Sequence, residues 1–425
     1  MPDEVDPIFA SALSAAGSAD RAAGEACERV AAQLHRTGRP TTRPELVLAF
    51  ASGAHAAMLG AIAARLRREF DPQRLLAAPA PSVLGGREAY ESRPGLSLLV
   101  GHMPGVRTYA LNPDQLAHAP EDVLERAMGE GGDRRATFLF ADPSSAPLGA
   151  MLPRLARLHA RSTWGEPPPI VGAVTSAGER SRGSFILDDE VHASGAVGLT
   201  IAGDVRVDVV ASQGCRPFGE PMLITRAHNN IIQELGGRSA VEAIRDAASA
   251  LSHEQRALLP GGLFLGLVVD EYKDRFGRGD FLIRRIRAVD ESSGAVAVEE
   301  LVSVGRTVQL HLRDARTADD DLALLLDAQS IHGRPLGGLL FSSGGRGRDF
   351  FGDASHDPAL VQRAFRPELP AERQAKGGEE IDPETPLVPL AGLMTTAEIA
   401  PAGGMPRVHT HSAVLTLFRK PAPAD

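Results

Sequence analysis

Four short polar segments, all after residue 205, carry the residue types that could do chemistry. They are Ser212-Gln213-Gly214-Cys215-Arg216-Pro217-Phe218-Gly219, Gln309-Leu310-His311-Leu312-Arg313-Asp314-Ala315, Phe341-Ser342-Ser343-Gly344-Gly345-Arg346-Gly347, and Ala397-Glu398-Ile399-Ala400-Pro401 running on to His409. Each stands beside an apolar, strand-like run with an arginine or a carboxylate at its mouth. Glycine beside a charge lets the backbone come close to a ligand and leaves N–H groups free to bind it. The repetition predicts that Gln213, Arg216, Arg313, Ser342, Arg346 and Glu398 converge on one polar site. The chemistry of that site is recognition of a zwitterion. Arginine forks hold a carboxylate bidentately, and Glu398 holds an ammonium.

Other chemistries fit less well. The segment at Ser342 is no phosphate-binding P-loop, because no Gly-Lys-Ser/Thr follows at the required spacing. It is no nucleophile elbow either. No histidine is spaced to activate Cys215, and no Ser–His–Asp or Cys–His order matches a known arrangement, so the chain is not expected to be an enzyme. Gln309, His311 and Arg313 share one strand face. His409 and His411 are read as sharing a face of the last strand, but a third ligand is missing and no metal site is expected. Asp188-Asp189-Glu190 reads as a solvated hairpin turn. A buried Glu398 needs a positive partner, for which Arg216, Arg313 and Arg346 are the candidates.

Composition narrows the class. The 425 residues are 43% hydrophobic and 23% charged, as in ordinary globular proteins, and long enough to bury large cores. A net charge of −9 and 4% aromatics argue against a nucleic-acid partner. Two cysteines, Cys27 and Cys215, form neither a disulfide framework nor a zinc site. The acidic start lacks a signal peptide's basic and apolar regions, and no run of about 18 apolar residues spans a membrane. Cytoplasmic localisation is expected, and the Ala, Arg, Gly and Pro bias fits a GC-rich bacterial genome.

The elements that must position these segments follow from periodicity. Residues 8–36 read as an alanine-rich helix and 54–70 as an amphipathic one. Strands are expected at Leu46–Phe50, Leu96–Val100, Val106–Leu111, Ala136–Ala141 and Ile170–Val174, giving an α/β region with a buried sheet. Hairpins follow over 185–211, and residues 228–258 read as helical. Buried strands are expected at Leu263–Val269, Gly338–Phe341, Leu387–Met394 and Ala413–Phe418, with a helix at Ala318–Asp327 whose first turn holds Asp319, Asp320 and Asp321. Leu369–Pro386 reads as a mobile loop. No internal repeat is visible. The fold class is α/β with mixed, largely antiparallel sheets flanked by helices. The organisation is an N-terminal helical segment (1–40), one domain at 41–185 and a second at 186–425.

The segments together resemble the FIST family of sensory proteins, with a FIST N-terminal and a FIST C-terminal domain. The resemblance runs from about Leu46 to Phe418. It rests on Gly195-Ala196-Val197-Gly198, Ser212 to Pro217, Gly305 to Ala315, Phe341 to Gly347, and Glu398, Pro401 and His409. In the first half it rests on Asp142-Pro143-Ser144 and Val171 to Gly178. The chain departs from the family at Ser343-Gly344, where Cys-Asn is common, and at Ala397 to Ala400, where Gly-Glu-Ile-Gly is common. The resemblance implies a small-ligand sensory module, with an amino acid or related carboxylate as ligand and no cofactor. Its output would pass to a separate signalling protein. Haem-binding members imply a haem gas sensor as the alternative, with His409 as the iron ligand, and an F-box branch implies a protein-interaction scaffold. An unrecognised enzyme is the remaining alternative.

Overall fold

Strands Leu46–Ser52, Arg134–Ala141 and Gly337–Ser343 are apolar on both faces, as strands covered on both sides must be. In the computed structural model, which describes residues 6–129, 133–161, 167–176, 184–367 and 386–421, these three strands occupy equivalent places in three six-stranded sheets.

The first unit runs from strand Ile8–Ser14 through helix Ala19–Arg36, strand Leu46–Ser52, helix Leu59–Phe70 and strand Arg74–Ala80 to strand Gly95–His102. The second runs from Val106–Leu111 to Ala196–Ala202, the third from Arg206–Gln213 to Ser412–Arg419. In each sheet the unit's own strands lie in the order first, last, second, third. The first two contacts are antiparallel and the last is parallel. Each unit also gives a hairpin to a sheet that is not its own. Ser82–Gly85 with Glu88–Tyr90 joins the third sheet, Phe185–Leu187 with Glu190–His192 joins the first, and Ala397–Ala402 with Met405–His409 joins the second. The exchange is cyclic, so three repeats of one topology are interlocked.

The inner faces of the three sheets share one core. At its centre Phe50, Phe140 and Phe341, one from each repeat, meet pairwise with ring centroids 5.5, 6.4 and 5.6 Å apart. Offset and edge-on aromatic contacts of this kind add to the large area each ring buries. Helices cover the outer faces, giving one further core behind each sheet. The third repeat carries an insertion between its first strand and its helix Ala315–Ser330. There Cys215–His228, Ile231–Leu235, Arg238–Ser239, Leu263–Val268, Phe281–Asp290, Ala295–Val298 and Thr307–Arg313 form a seven-stranded sheet. Its long first strand also pairs with Ile231–Leu235, so the sheet curls back on itself around a core capped by helix Ala240–Ser249.

The fold class is as the sequence predicts, and the two halves are intimately associated because all three repeat sheets mix strands from 41–185 with strands from 186–425. Three expectations are corrected. Residues 8–36 are not one helix, since Ile8–Ser14 pairs along its length with Gly95–His102. Residues 228–258 begin as strands. The helix expected at Ala318 starts at Ala315, where Asp314 caps it by accepting from the Arg316 N–H at 3.1 Å, so Asp319–Asp321 lie beyond its first turn. The loop expected at 369–386 falls, but for Pro386, outside the described residues. Asp188 does sit in a hairpin turn, and it ties that turn down by accepting from the Leu75 N–H and the Thr108 hydroxyl.

Candidate functional site

The insertion leaves the body at Gln213 and returns at Asp314, and a cavity of about 720 Å³ opens at this joint. One wall is the body's helix Ala315–Ser330, which supplies Thr317, Asp320, Asp321 and Leu325. The other is the insertion, with Cys215, Arg216, His311 and an apolar patch of Phe276, Phe281 and Ile283. Charges of both signs face it: Arg216, Arg278 and Arg316 against Glu254, Asp314, Asp320 and Asp321.

The pairings across this cavity are loose. Arg216 stands 3.8 Å from Asp314 with its side chain 41% exposed, and Arg278 stands 3.9 Å from Asp321. Ion pairs of this exposure and length contribute little, which leaves both guanidinium groups available. Asp321 is better fixed, accepting from the Ser212 hydroxyl at 2.7 Å and the Gln213 N–H at 3.0 Å. Gln213 donates its side-chain amide to the Phe281 carbonyl at 3.0 Å. Burial pushes the Cys215 thiol up to about 12, against the pull of Arg313 and Arg346, which favours the neutral thiol. Burial lowers His311 to about 4, and its Nδ1 faces the Gln309 carbonyl at 3.0 Å.

The other sequence-derived residues lie behind this cavity. Arg346 is fully buried, and its fork is taken by Asp357 through Nε at 2.8 Å and Nη2 at 2.9 Å. Ser342 donates to the same carboxylate at 2.6 Å, and His356 Nδ1 lies 2.9 Å from it. Burial alone would raise the Asp357 carboxyl, but Arg346, His356 and Ser342 hold it well below the usual carboxylate range. The bidentate ligand grip expected of Arg346 is therefore used inside the protein, and Ser342 serves the same pair. Glu398 is 0% exposed, and burial pushes it up to about 8. Its Oε2 accepts from the Ser412 hydroxyl at 2.5 Å, and Arg346 acts on it only as a nearby charge. Arg313 donates to the Gly345 carbonyl at 2.5 Å and lies over the Phe350 ring at 4.3 Å.

The six residues expected at one site thus divide. Gln213 and Arg216 line the open cavity. Arg313, Arg346, Ser342 and Glu398 belong to a polar cluster on the body side of the Gly214–Cys215 link. His409 and His411 do not share a strand face. His409 ends strand Met405–His409, with Nε2 3.2 Å from the Ala400 carbonyl, and His411 sits in the next turn at φ 60°. His409 is 2% exposed and lowered to about 4 by burial. Among the described residues no group of three or more His, Cys, Asp or Glu side chains could hold a metal ion. Sequence reasoning did not select Asp314, Asp321, Arg278 or Asp357. Asp314 lies within a motif already singled out, whereas Asp357 carries no local signal of its bond to Arg346.

The architecture is that of an α/β protein with a cavity of mixed charge at the joint between two sheet systems. The chain belongs to the FIST family, a family of sensory signal-transduction domains: the FIST N domain matches residues 45–238 and the FIST C domain residues 240–401. Among its relatives is an uncharacterised protein of Mycobacterium tuberculosis, 33% identical over 413 residues, covering 96% of this chain and 98% of the relative. An uncharacterised protein of Mycobacterium bovis is 32% identical over 405 residues, covering 94% and 95%. No helix among the described residues is long and apolar enough to cross a membrane.

Proposed function

We propose that this protein is a small-ligand sensor whose ligand is an amino acid or related carboxylate held in the cavity at the joint. The observation that carries this reading is the lining: three arginines, two of them loosely paired, four carboxylates and an apolar wall around about 720 Å³. That volume lies in the range of small-molecule sites. Arg216 and Arg278 have donors to offer a ligand carboxylate, and Asp314 and Asp320 can take its ammonium. Glu398 does not serve as the ammonium partner, being sealed from the cavity. Because the two walls belong to different parts of the fold, a ligand touching both favours one setting of the insertion against the body. That is a differential affinity of the kind a sensor needs. A downstream protein would read this setting.

A thermal-shift screen of amino acids and simple carboxylates tests the reading. At about 100 times its dissociation constant a ligand stabilises the fold by roughly 2.7 kcal/mol, which such a screen detects. Arg216→Ala should cut the shift to about half or less, as about tenfold weaker binding requires, and leave the ligand-free melting temperature nearly unchanged. A screen in which no zwitterion or carboxylate raises the melting temperature would overturn the ligand class.

A further inference from the structure

The charges of the cavity at the joint and its apolar surface lie at different depths. At the mouth, the Arg278 side chain is 50% exposed and that of Arg216 is 41% exposed. Glu254, Arg316 and Asp320 are exposed as well. The floor is the outer face of the insertion. There Phe281, Ile283 and His311 are 4%, 3% and 2% exposed, and half-buried Phe276 and Cys215 complete it.

The two-residue period of the strands sets this floor. Val308, Leu310 and Leu312 enter the core of the insertion together with Leu265 and Leu267, so His311 is left on the opposite face. On that face Phe264, Val268, Phe281 and Ile283 form a separate apolar cluster, with Cys215 and Phe276 packed against it. Gly266 lies beneath the rings. A methyl there would stand 2.8 Å from His311 Nδ1 and 3.0 Å from Phe281 Cδ1, so its absence lets both rings lie down on the sheet. Phe276 meets Phe281 with centroids 5.8 Å apart, and Phe281 meets His311 at 4.9 Å, both edge to face.

The floor carries no charge of its own. Burial lowers the His311 imidazole to about 4 and raises the Cys215 thiol to about 12, so both are neutral at ordinary pH. Asp321, the buried carboxylate of this cavity, is committed to the Ser212 hydroxyl and the Gln213 N–H. The Gln213 side chain in turn donates to the Phe281 carbonyl, which ties the aromatic floor to the body.

We propose that the ligand of this cavity is an aromatic amino acid, with its charged head among the groups at the mouth and its ring on the floor against Phe276, Phe281 and Ile283. The inference rests on the zwitterion reading and adds the side chain to it. Edge-on and offset ring contacts strengthen binding beyond the area they bury. Small-molecule sites are typically apolar surfaces on which a few polar groups set the orientation. A charged side chain on this floor would lose its water without gaining a partner.

The test is calorimetric titration of the full chain with L-phenylalanine, L-alanine, L-glutamate and benzyl alcohol. Phenylalanine should bind about tenfold or more tighter than alanine or glutamate, as the burial of one aromatic side chain requires. Phe276→Ala, at a half-buried position, and Phe281→Leu, which keeps most of the volume, should each lower that ratio by about threefold or more, the loss of one ring contact. Both should leave the affinity for alanine unchanged, whereas general damage to the joint would weaken every probe. Alanine or glutamate binding as tightly as phenylalanine would overturn this inference and leave the zwitterion reading standing, and an unchanged ratio in both variants would overturn it too. Benzyl alcohol binding as tightly as phenylalanine would keep the ring subsite and overturn the zwitterion reading.

Discussion

Arg346 and Arg216 stand in similar sequence settings, each beside glycine just past a strand, yet they do opposite work. Arg346 is sealed in, with a bidentate carboxylate that also takes a serine hydroxyl and a histidine. Arg216 is half in solvent, with its carboxylate 3.8 Å away. The lesson is that a charged glycine-rich strand end marks where a polar side chain is positioned, not what it is positioned for. Partner distance and burial decide that. A tight buried pair holds the loop, and a loose exposed pair remains free for a ligand.

The largest effect that would sharpen this contrast is on stability. Arg346→Ala should cost about 3–5 kcal/mol, because Asp357 is left buried and unpaired. Arg216→Ala should cost less than about 1 kcal/mol. Urea unfolding of the two variants measures both, and equal costs would break the distinction. Of comparable size is Phe140→Ala at the meeting point of the three repeats, expected to lose about 3–5 kcal/mol. An exposed-site value near zero would show that the three sheets do not share their core.

A smaller effect separates the two regions by pH. The folded-state value of Glu398 is raised to about 8, above an unfolded value near 4.5. The native state therefore keeps a proton that the unfolded chain releases. Stability should fall as pH rises through that window, by up to about 1.4 kcal/mol per pH unit, and level off above it. Glu398→Gln should flatten this slope and gain relative stability at pH 8. An unchanged slope in that variant would show that Glu398 is ionised in the fold. Arg216→Ala should leave the slope untouched.

Much of the fold was legible. The strands at Leu46, Arg134, Ile170, Leu263 and Gly337 are continuous apolar runs, and the helix at 59–70 has a plain helical period. Ile8–Ser14 was misread because its alanines and serines satisfy a helical period as easily as an alternating one. Its pairing with Gly95–His102 is decided about 90 residues away in the chain. The three repeats were invisible for a related reason. They share topology rather than residues: Phe50, Phe140 and Phe341 match only once the sheets are aligned, and the cyclic exchange of hairpins has no local signature. The insertion of residues 215–313 also hides the third repeat's period. At the site, the spacing of glycine and charge located the right strand ends. It could not separate the cavity side from the buried side. That division depends on Asp357 and Asp321, which reach their partners through the tertiary fold.

The most direct measurement of the central claim is calorimetric titration of a zwitterion found in the screen into the wild-type protein, Arg216→Ala and Arg313→Gln. Binding with one site per chain, weakened about tenfold or more by Arg216→Ala and little changed by Arg313→Gln, is the predicted result. Binding that ignores Arg216 and disappears with Arg313 would contradict the account, because the ligand would then occupy the separate cavity that Arg313 lines with Gly344, Gly345 and Phe350, and not the joint.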